Sequence, residues 1–414
     1  MLTNIPAMFD ISQDQGRSGV GKAIRSCILN RVMNSGSFTV AEIAGDSGFS
    51  STTVSKYIST LLDNGKLRET GKVSLHTKGR KTVRYGIPSD SFYFLGVDMR
   101  TFELSIGLID FIGQKVAVEH FDDFRLDNTH DVLDLVCKRI LDFIDGLDGL
   151  SREKISAVNI NIPGRVNSRT GTSATTFNFE DTAGVPLTEY IGDKIGMKVY
   201  IENDTKAMAY GEYMSWAAGK YSNILYINIG WGFGLGIIID GKLYYGKDGY
   251  SGEIGHVHLY ENNVLCHCGK KGCLETEVSM RAIRRKLTER ISKGETSLLS
   301  PKVQNGGTIT VMDILDAVEK EDALCIEIVS QTGTRLGHIL AGLINIFNPE
   351  AIIIGGNLSK VEPCYFLQPV ETEIRKYALR LMCRDVPVTT SRLGDDTAVI
   401  GACLIARSKM LDGQ

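Results

Sequence analysis

Residues 252–275 read GEIGHVHLYENNVLCHCGKKGCLE and concentrate three of the nine cysteines of this 414-residue chain. Cys266, Cys268 and Cys273 form a C-x-C-x4-C pattern, and His256 lies ten residues before the first thiol. Three thiolates and one imidazole suit a tetrahedral zinc ion with no open position, the arrangement of a structural site rather than a catalytic one. Gly269 and Gly272 permit the tight turns that would fold three thiolates onto one ion. His267 and His258 compete with His256 for the fourth position, and the plain alternative is a set of ordinary reduced cysteines. A glutamate stands near each end of the window, Glu253 and Glu275.

The elements that must position these groups follow from the rest of the chain. Its length suits two or three domains, and 43% apolar against 23% charged residues favours a large folded core over disorder. No run of about 18 apolar residues is present, so no membrane span is expected. The first residues, MLTNIPAMFDISQDQ, lack a basic segment followed by an apolar run, so no signal peptide is expected. The six remaining cysteines are scattered singly, which argues for a reducing, cytoplasmic protein. Charge is uneven: residues 1–90 carry a net +5, and the remainder a net −8. A basic end on an acidic body suits contact with a polyanion.

Gly16 to Lys22, GRSGVGK, imitates a phosphate-binding loop, but Ala23 replaces the hydroxyl residue that would hold magnesium. A helix is expected instead, with Ile24, Cys27, Ile28 and Val32 on one face. Two shorter helices follow. Val40, Ile43 and Ala44 face inward on the first, Gly48 marks the turn, and Ser50 or Ser51 caps the second, which buries Val54, Ile58, Leu61 and Leu62. Helix, short turn, helix is a helix-turn-helix geometry. Ser51, Thr52, Thr53, Ser55 and Lys56 lie early on the second helix, where hydroxyls and a lysine suit base-edge and phosphate contacts. The stretch KLRETGKVSLHTKGRKTVRYGI then reads as two strands around a basic tip. Lys78, Arg80 and Lys81 at that tip suit a minor groove. Residues 1–88 thus resemble the winged helix-turn-helix domain of bacterial repressors, with operator DNA as the implied partner.

From Tyr93 the pattern changes. YFLGVDM, LSIGLID and QKVAVEH read as successive strands. A helix over about 130–146 carries Val132, Leu135, Val136 and Ile140. The buried run AVNINIPG follows, then a strand running into a helix at KVYIENDTKAMAYGEY. NILYINIG and LGIIID are strands joined by a glycine-rich turn, and a helix near 331–347 precedes the strand AIIIGG. Strand triplets followed by crossovers, twice over, predict two related α/β halves with a cleft between them.

Residues 89–414 resemble the ROK family of repressors, open reading frames and sugar kinases. PGRV at 163–166, IEND at 201–204, GEIGH at 252–256, CHCGKKGCLE at 266–275 and IIIGGN at 352–357 carry the resemblance. It implies an actin-like, hexokinase-like duplicated α/β fold behind the small winged domain. It also implies that His256 is the zinc histidine, beside Cys266, Cys268 and Cys273, and that the same histidine faces a bound sugar. Glu253, Glu275 and Asn203 match sugar-hydroxyl binders, and Asn178 a further sugar contact. Asp204 matches the general base of the kinases of the family. Carboxylates and amides suit such hydroxyls because they accept and donate in fixed geometry.

The nucleotide side departs from that pattern. The first phosphate loop of the kinases resembles DxGGTK, and here Asp98 to Glu103 reads DMRTFE, with both glycines gone, Phe102 for threonine and Glu103 for lysine. The second resembles LGTGxGGG. Here it reads IGWGFGLG, with Trp231 in place of threonine, and Gly355-Gly356 persists. A kept sugar pocket and a degraded ATP site imply a sugar-responsive repressor of carbohydrate genes. Its implied companions are structural zinc, operator DNA, a sugar or sugar phosphate (Arg100 and Arg165 being candidate anion contacts) and a homodimer or homotetramer. The competing expectation is an ATP-dependent sugar kinase with an appended DNA-binding domain.

Overall fold

The computed structural model describes residues 18–73, 82–179 and 184–412. The N-terminal helices are α1 (Ser18–Ser35), α2 (Val40–Ser47) and α3 (Ser51–Asp63). Local chemistry sets their ends. Thr39 and Glu42 form a reciprocal capping box at the start of α2. Gly48, at φ 70°, closes α2 in the left-handed conformation, and its N–H donates to the Ala44 carbonyl. Of the two candidate caps for α3 the structure uses Ser50, whose hydroxyl accepts from the Thr53 N–H at 3.2 Å. Ile24, Ile28, Val32, Ile43, Val54, Ile58 and Leu61 are buried together, while Leu62 is only half-buried. Strands β1 (Arg68–Val73) and β2 (Thr82–Gly86) pair antiparallel, and Phe38 bridges to Tyr85. Lys78, Arg80 and Lys81 lie outside the described residues.

The chain divides into two compact units: residues 1–207 with 398–414, which takes in this module, and residues 208–397. The first holds β3 (Tyr93–Arg100), β4 (Glu103–Asp110), β5 (Lys115–Phe121), β6 (Ile155–Ile162), the short pair β7 (Val166–Asn167) and β8 (Thr172–Ser173), and β9 (Val199–Asn203). Its sheet order is β5-β4-β3-β6-β9, antiparallel among β5, β4 and β3 and parallel from β3 to β9. Helices α4 (His130–Asp145), α5 (Leu187–Ile195) and α6 (Asp204–Glu212) follow the strands. Of the four residues expected on the inward face of α4, Val136 and Ile140 are buried and Val132 packs half-buried against the same core, whereas Leu135 is exposed. Leu133, Cys137, Phe143 and Ile144 complete the buried face.

The second unit repeats the plan. It contains β10 (Ile224–Ile229), β11 (Phe233–Ile239), β12 (Lys242–Leu243), α7 (Met280–Ser292), α8 (Ser300–Gln304), α9 (Val311–Glu319), α10 (Ala323–Phe347), β13 (Ala351–Gly356), α11 (Leu367–Tyr377), α12 (Arg380–Cys383) and β14 (Val388–Thr390). Its order, β12-β11-β10-β13-β14, has the same sequence of antiparallel and parallel pairings as the first sheet. Helix α10 starts eight residues before the expected 331. The Asp322 carboxylate caps it through the Cys325 N–H at 2.8 Å, a signal that lies upstream of the clear apolar period.

The last helix, α13 (Thr397–Asp412), packs on the sheet of the first unit. A Cβ at Gly96, in the central strand β3, would come within 2.5 Å of both the Cys403 nitrogen and the Val399 carbonyl oxygen. These are backbone atoms and cannot rotate away. Gly96→Ala is expected to cost about 3 kcal/mol, the upper end for overpacking. For a domain this size the melting temperature should fall by about 6–12 °C. An unchanged melting curve would show that α13 does not clamp this strand.

Candidate functional site

The cysteine window belongs wholly to the second unit. GEIGH lies against β11 because its glycines have no side chain to clash. A Cβ on Gly252, at φ 87°, would lie 2.0 Å from the Leu235 carbonyl oxygen. The chain then makes a single 3-10 turn, Ile254–His256, which aims the imidazole at the cysteines. Gly272, at φ 70°, passes just as closely to the Tyr260 carbonyl oxygen.

The ligand atoms of His256, Cys266, Cys268 and Cys273 lie within 4.8 Å of one another. The Cys266 sulfur is 3.6 Å from His256 Nδ1, and the Cys268 and Cys273 sulfurs are 3.6 Å apart. A tetrahedral ion with zinc–sulfur bonds of about 2.3 Å has ligand–ligand edges of about 3.8 Å, so this donor set fits zinc in identity, number and spacing. His267 stands beside this set, its Nδ1 3.8 Å from the Cys266 sulfur, and groups with His256 and Glu275 rather than with all three cysteines. Its Nδ1 lies 2.8 Å from Glu275 Oε1. The other ring nitrogen of His256, Nε2, faces Glu253 Oε2 at 3.6 Å. A metal on Nδ1 would fix the ring and leave Nε2 beside Glu253 for an outer contact. Glu275 is buried, and its Oε2 also accepts from the Phe233 N–H at 3.2 Å.

Asn178, Asn203 and Asp204 belong to the first unit. Asn178 is exposed, directly after Phe177, whose φ is 56°. Asn203 and Asp204 open α6. The Asn203 Oδ1 accepts from the Lys206 N–H at 3.0 Å, and Asp204 Oδ1 accepts from the Thr205 N–H at 2.7 Å. Asn203 thus caps α6, and both side chains are tied to the first turn of the helix. Burial raises the Asp204 pKa to about 6, and the nearby Asp98 carboxylate adds to the shift.

Asp98 is completely buried at the end of β3, and burial pushes its carboxyl pKa up against the pull of Arg100. Asn161 donates to Asp98 Oδ1 at 3.1 Å and to the Ala398 carbonyl at 2.9 Å. Arg100 is held between two carboxylates, with its Nε 2.9 Å from Asp98 Oδ2 and Nη1 3.2 Å from Glu103 Oε2. The hairpin carrying it is closed, with Arg100 paired opposite Glu103 and only Thr101 and Phe102 at the turn. No glycine cradle for a phosphate exists there, and the guanidinium that could have compensated already has two acidic partners. The sequence offered Arg100 as an anion contact and did not single out Asn161. The only hint was two asparagines alternating inside the buried run AVNINIPG.

The second loop keeps its hairpin, since β10 and β11 pair from Ile224↔Ile238 to Ile229↔Phe233, and Trp231 occupies the turn. On the N-terminal module Ser51, Thr52, Ser55 and Lys56 are exposed on one end of α3. Thr53 is half-buried, with its hydroxyl 2.9 Å from that of Ser50.

Comparison with known proteins adds to this geometry. The sequence model described as "ROK family" matches residues 94–409. A glucokinase of Thermotoga maritima is 31% identical over 316 residues, covering 76% of this chain and 98% of its own. An N-acetylglucosamine repressor of Escherichia coli O157:H7 is 26% identical over 400 residues, 96% of each chain. The crystal structure of a ROK family transcriptional regulator, a homolog of the E. coli MLC protein, superposes with a TM-score of 0.78 at 29% identity. That match covers 94% of this chain and 97% of the other. The repressor match spans 96% of this chain and the glucokinase match 76%.

Proposed function

Since this chain belongs to the ROK family, we propose that it is a sugar-responsive transcriptional repressor of carbohydrate-metabolism genes. In this reading residues 1–88 form the winged DNA-binding domain and residues 89–414 the sugar-binding ROK domain. Ser51, Thr52, Thr53, Ser55 and Lys56 of α3, with Lys78, Arg80 and Lys81, contact operator DNA. A homodimer or homotetramer would present two such modules to two half-sites. Asn178, Asn203, Asp204, Glu253, His256 and Glu275 bind the hydroxyls of a sugar or sugar phosphate. Zinc on His256, Cys266, Cys268 and Cys273 has a structural role: it holds the imidazole in one orientation. No described helix is long and apolar enough to cross a membrane, and a cytoplasmic location fits DNA as partner.

The observation that carries the reading is the Asp98–Arg100–Glu103 clamp, which closes the hairpin where a kinase of this fold cradles phosphate. One observation favours the enzyme reading. A carboxyl with a pKa near 6 is well poised for general-base work at neutral pH. ATP turnover with hexoses and N-acetylhexosamines separates the two.

The test of the repressor is selection of genomic fragments by the purified protein, followed by release with a panel of sugars and sugar phosphates at fixed salt. DNA and effector must prefer different states of the protein for release to occur. Glu253→Ala is expected to bind the selected fragment with unchanged affinity and to need at least tenfold more effector for release. Normal release by the variant would remove Glu253 from the effector site. No selective DNA binding by the wild type would refute the repressor itself.

A further inference from the structure

Two arginines of the second unit stand over Trp231, one with no acidic partner among the described residues and the other with a single distant one, unlike Arg285, Lys286 and Arg290 of the same helix. The guanidinium carbon of Arg284 is 4.3 Å from the Trp231 ring centroid, and that of Arg281 is 5.6 Å away. Trp231 itself packs against the core of the unit. Stacking uses the flat face of a guanidinium and leaves its N–H edge directed outward.

The contrast along α7 is sharp. Arg285 pairs with Glu289 at 3.0 Å, Lys286 with Glu277 at 2.9 Å, and Arg290 with Glu327 at 2.9 Å. Arg281 reaches only to 4.0 Å from Glu275 Oε1, a carboxylate already bonded to His267 and the Phe233 N–H. Arg284 has no ion pair among the described residues. Both sit in the first turns of α7, where no acidic residue stands and where the helix dipole disfavours cations. Two like charges held on one ring at the positive end of a helix are an arrangement that a bound anion relieves.

We propose that Arg281, Arg284 and Trp231 form a binding site for a phosphate dianion, that of a phosphorylated sugar effector. Two guanidinium edges match a phosphate by paired N–H donors. Arg281 lies between this site and Glu275, which the proposed function assigns to a sugar hydroxyl, so ring and phosphate would be read by adjoining groups. This inference rests on the sugar-responsive reading and extends it to the charge of the effector.

The test titrates the full-length protein with glucose, N-acetylglucosamine, their 6-phosphates, inorganic phosphate and ATP, by calorimetry and by release of a bound DNA fragment. The wild type is expected to bind one 6-phosphate at least tenfold more tightly than its parent sugar. The Arg281→Ala/Arg284→Ala double variant should lose that preference while its affinity for the parent sugar stays the same. Arg284→Lys should fall between, because it keeps charge but not the planar fork. Trp231→Phe should abolish the fluorescence change that the phosphate ester produces. Unchanged metal content and melting of the double variant would exclude a folding defect. Inorganic phosphate that binds as tightly as the ester, and is lost in the double variant, supports the dianion site and identifies free phosphate as its source. A 6-phosphate bound no better than the sugar, or a preference that survives the double substitution, overturns the proposal and leaves the repressor reading intact. Failure of every sugar and every ester to bind or release DNA would instead sink the sugar-responsive reading, and this site with it.

Discussion

Cys273→Ser is expected to strip the protein of metal and to lower its melting temperature by more than about 10 °C, the consequence of losing several kcal/mol from a domain of this size. The reason lies in what the window lacks. Residues 257–273 contain no helix and no long strand, and they are held by isolated bridges, His258↔Cys273 and Leu265↔Lys271, and a few turns. Cys273 is fully buried and Cys266 nearly so, with no apolar cluster large enough to hold the loop between them. Thiolates gathered at 3.6 Å repel one another unless an ion neutralises them. The measurement is metal content by mass spectrometry beside thermal unfolding with and without chelator. The wild type should carry one zinc per chain and lose stability on chelation. The variant should carry none and be indifferent to the chelator. A wild type that is free of zinc after expression in zinc-replete medium, and as stable with chelator as without, would return these residues to ordinary thiols.

The second large effect is at Asp204. Its folded pKa of about 6 stands above the ordinary 3.8, so the folded protein holds a proton there that the unfolded chain releases. Stability is therefore lost as pH rises from about 4 to about 6, and the full cost is present at neutral pH. Two pK units correspond to at most about 3 kcal/mol, and about half of that is reasonable for a half-buried group. Asp204→Asn removes the charge and keeps an oxygen to accept from the Thr205 N–H. It should raise the melting temperature at about pH 7.5 by about 3–6 °C and give no gain near pH 4. The same variant should lose effector-driven release of DNA, because an amide cannot supply the acceptor pair a carboxylate offers to a sugar hydroxyl. Stabilisation without any change in release would remove Asp204 from the effector site. Destabilisation at neutral pH would contradict the raised pKa.

Much of this was determined by the sequence alone. Cysteine spacing proposes a four-ligand metal site because such a site needs few residue types at short separations. The cap at Ser50 is local, since a side chain and a backbone N–H three residues apart meet whenever the helix forms, and the caps at Thr39 and Asp322, which the sequence did not single out, follow the same rule. The repeated strand pattern anticipates two sheets of one topology because alternation and apolar runs are also local signals. What the sequence left open depended on groups distant along the chain. His256 rather than His267 completes the four-ligand cluster, because Glu275, brought in by the turn after Cys273, competes with the Cys266 thiol for the His267 Nδ1. Arg100 is engaged by two carboxylates because the register of β3 on β4 places Glu103 opposite it and the buried Asp98 beside it. The unbalanced pair Arg281 and Arg284 is unremarkable in a run with five basic residues. It stands apart only once folding has assigned glutamates to the others and turned Trp231 onto these two. Local hydrogen bonds and periodicity are written in neighbouring residues, whereas the pairing of charges is decided by which strands and helices meet.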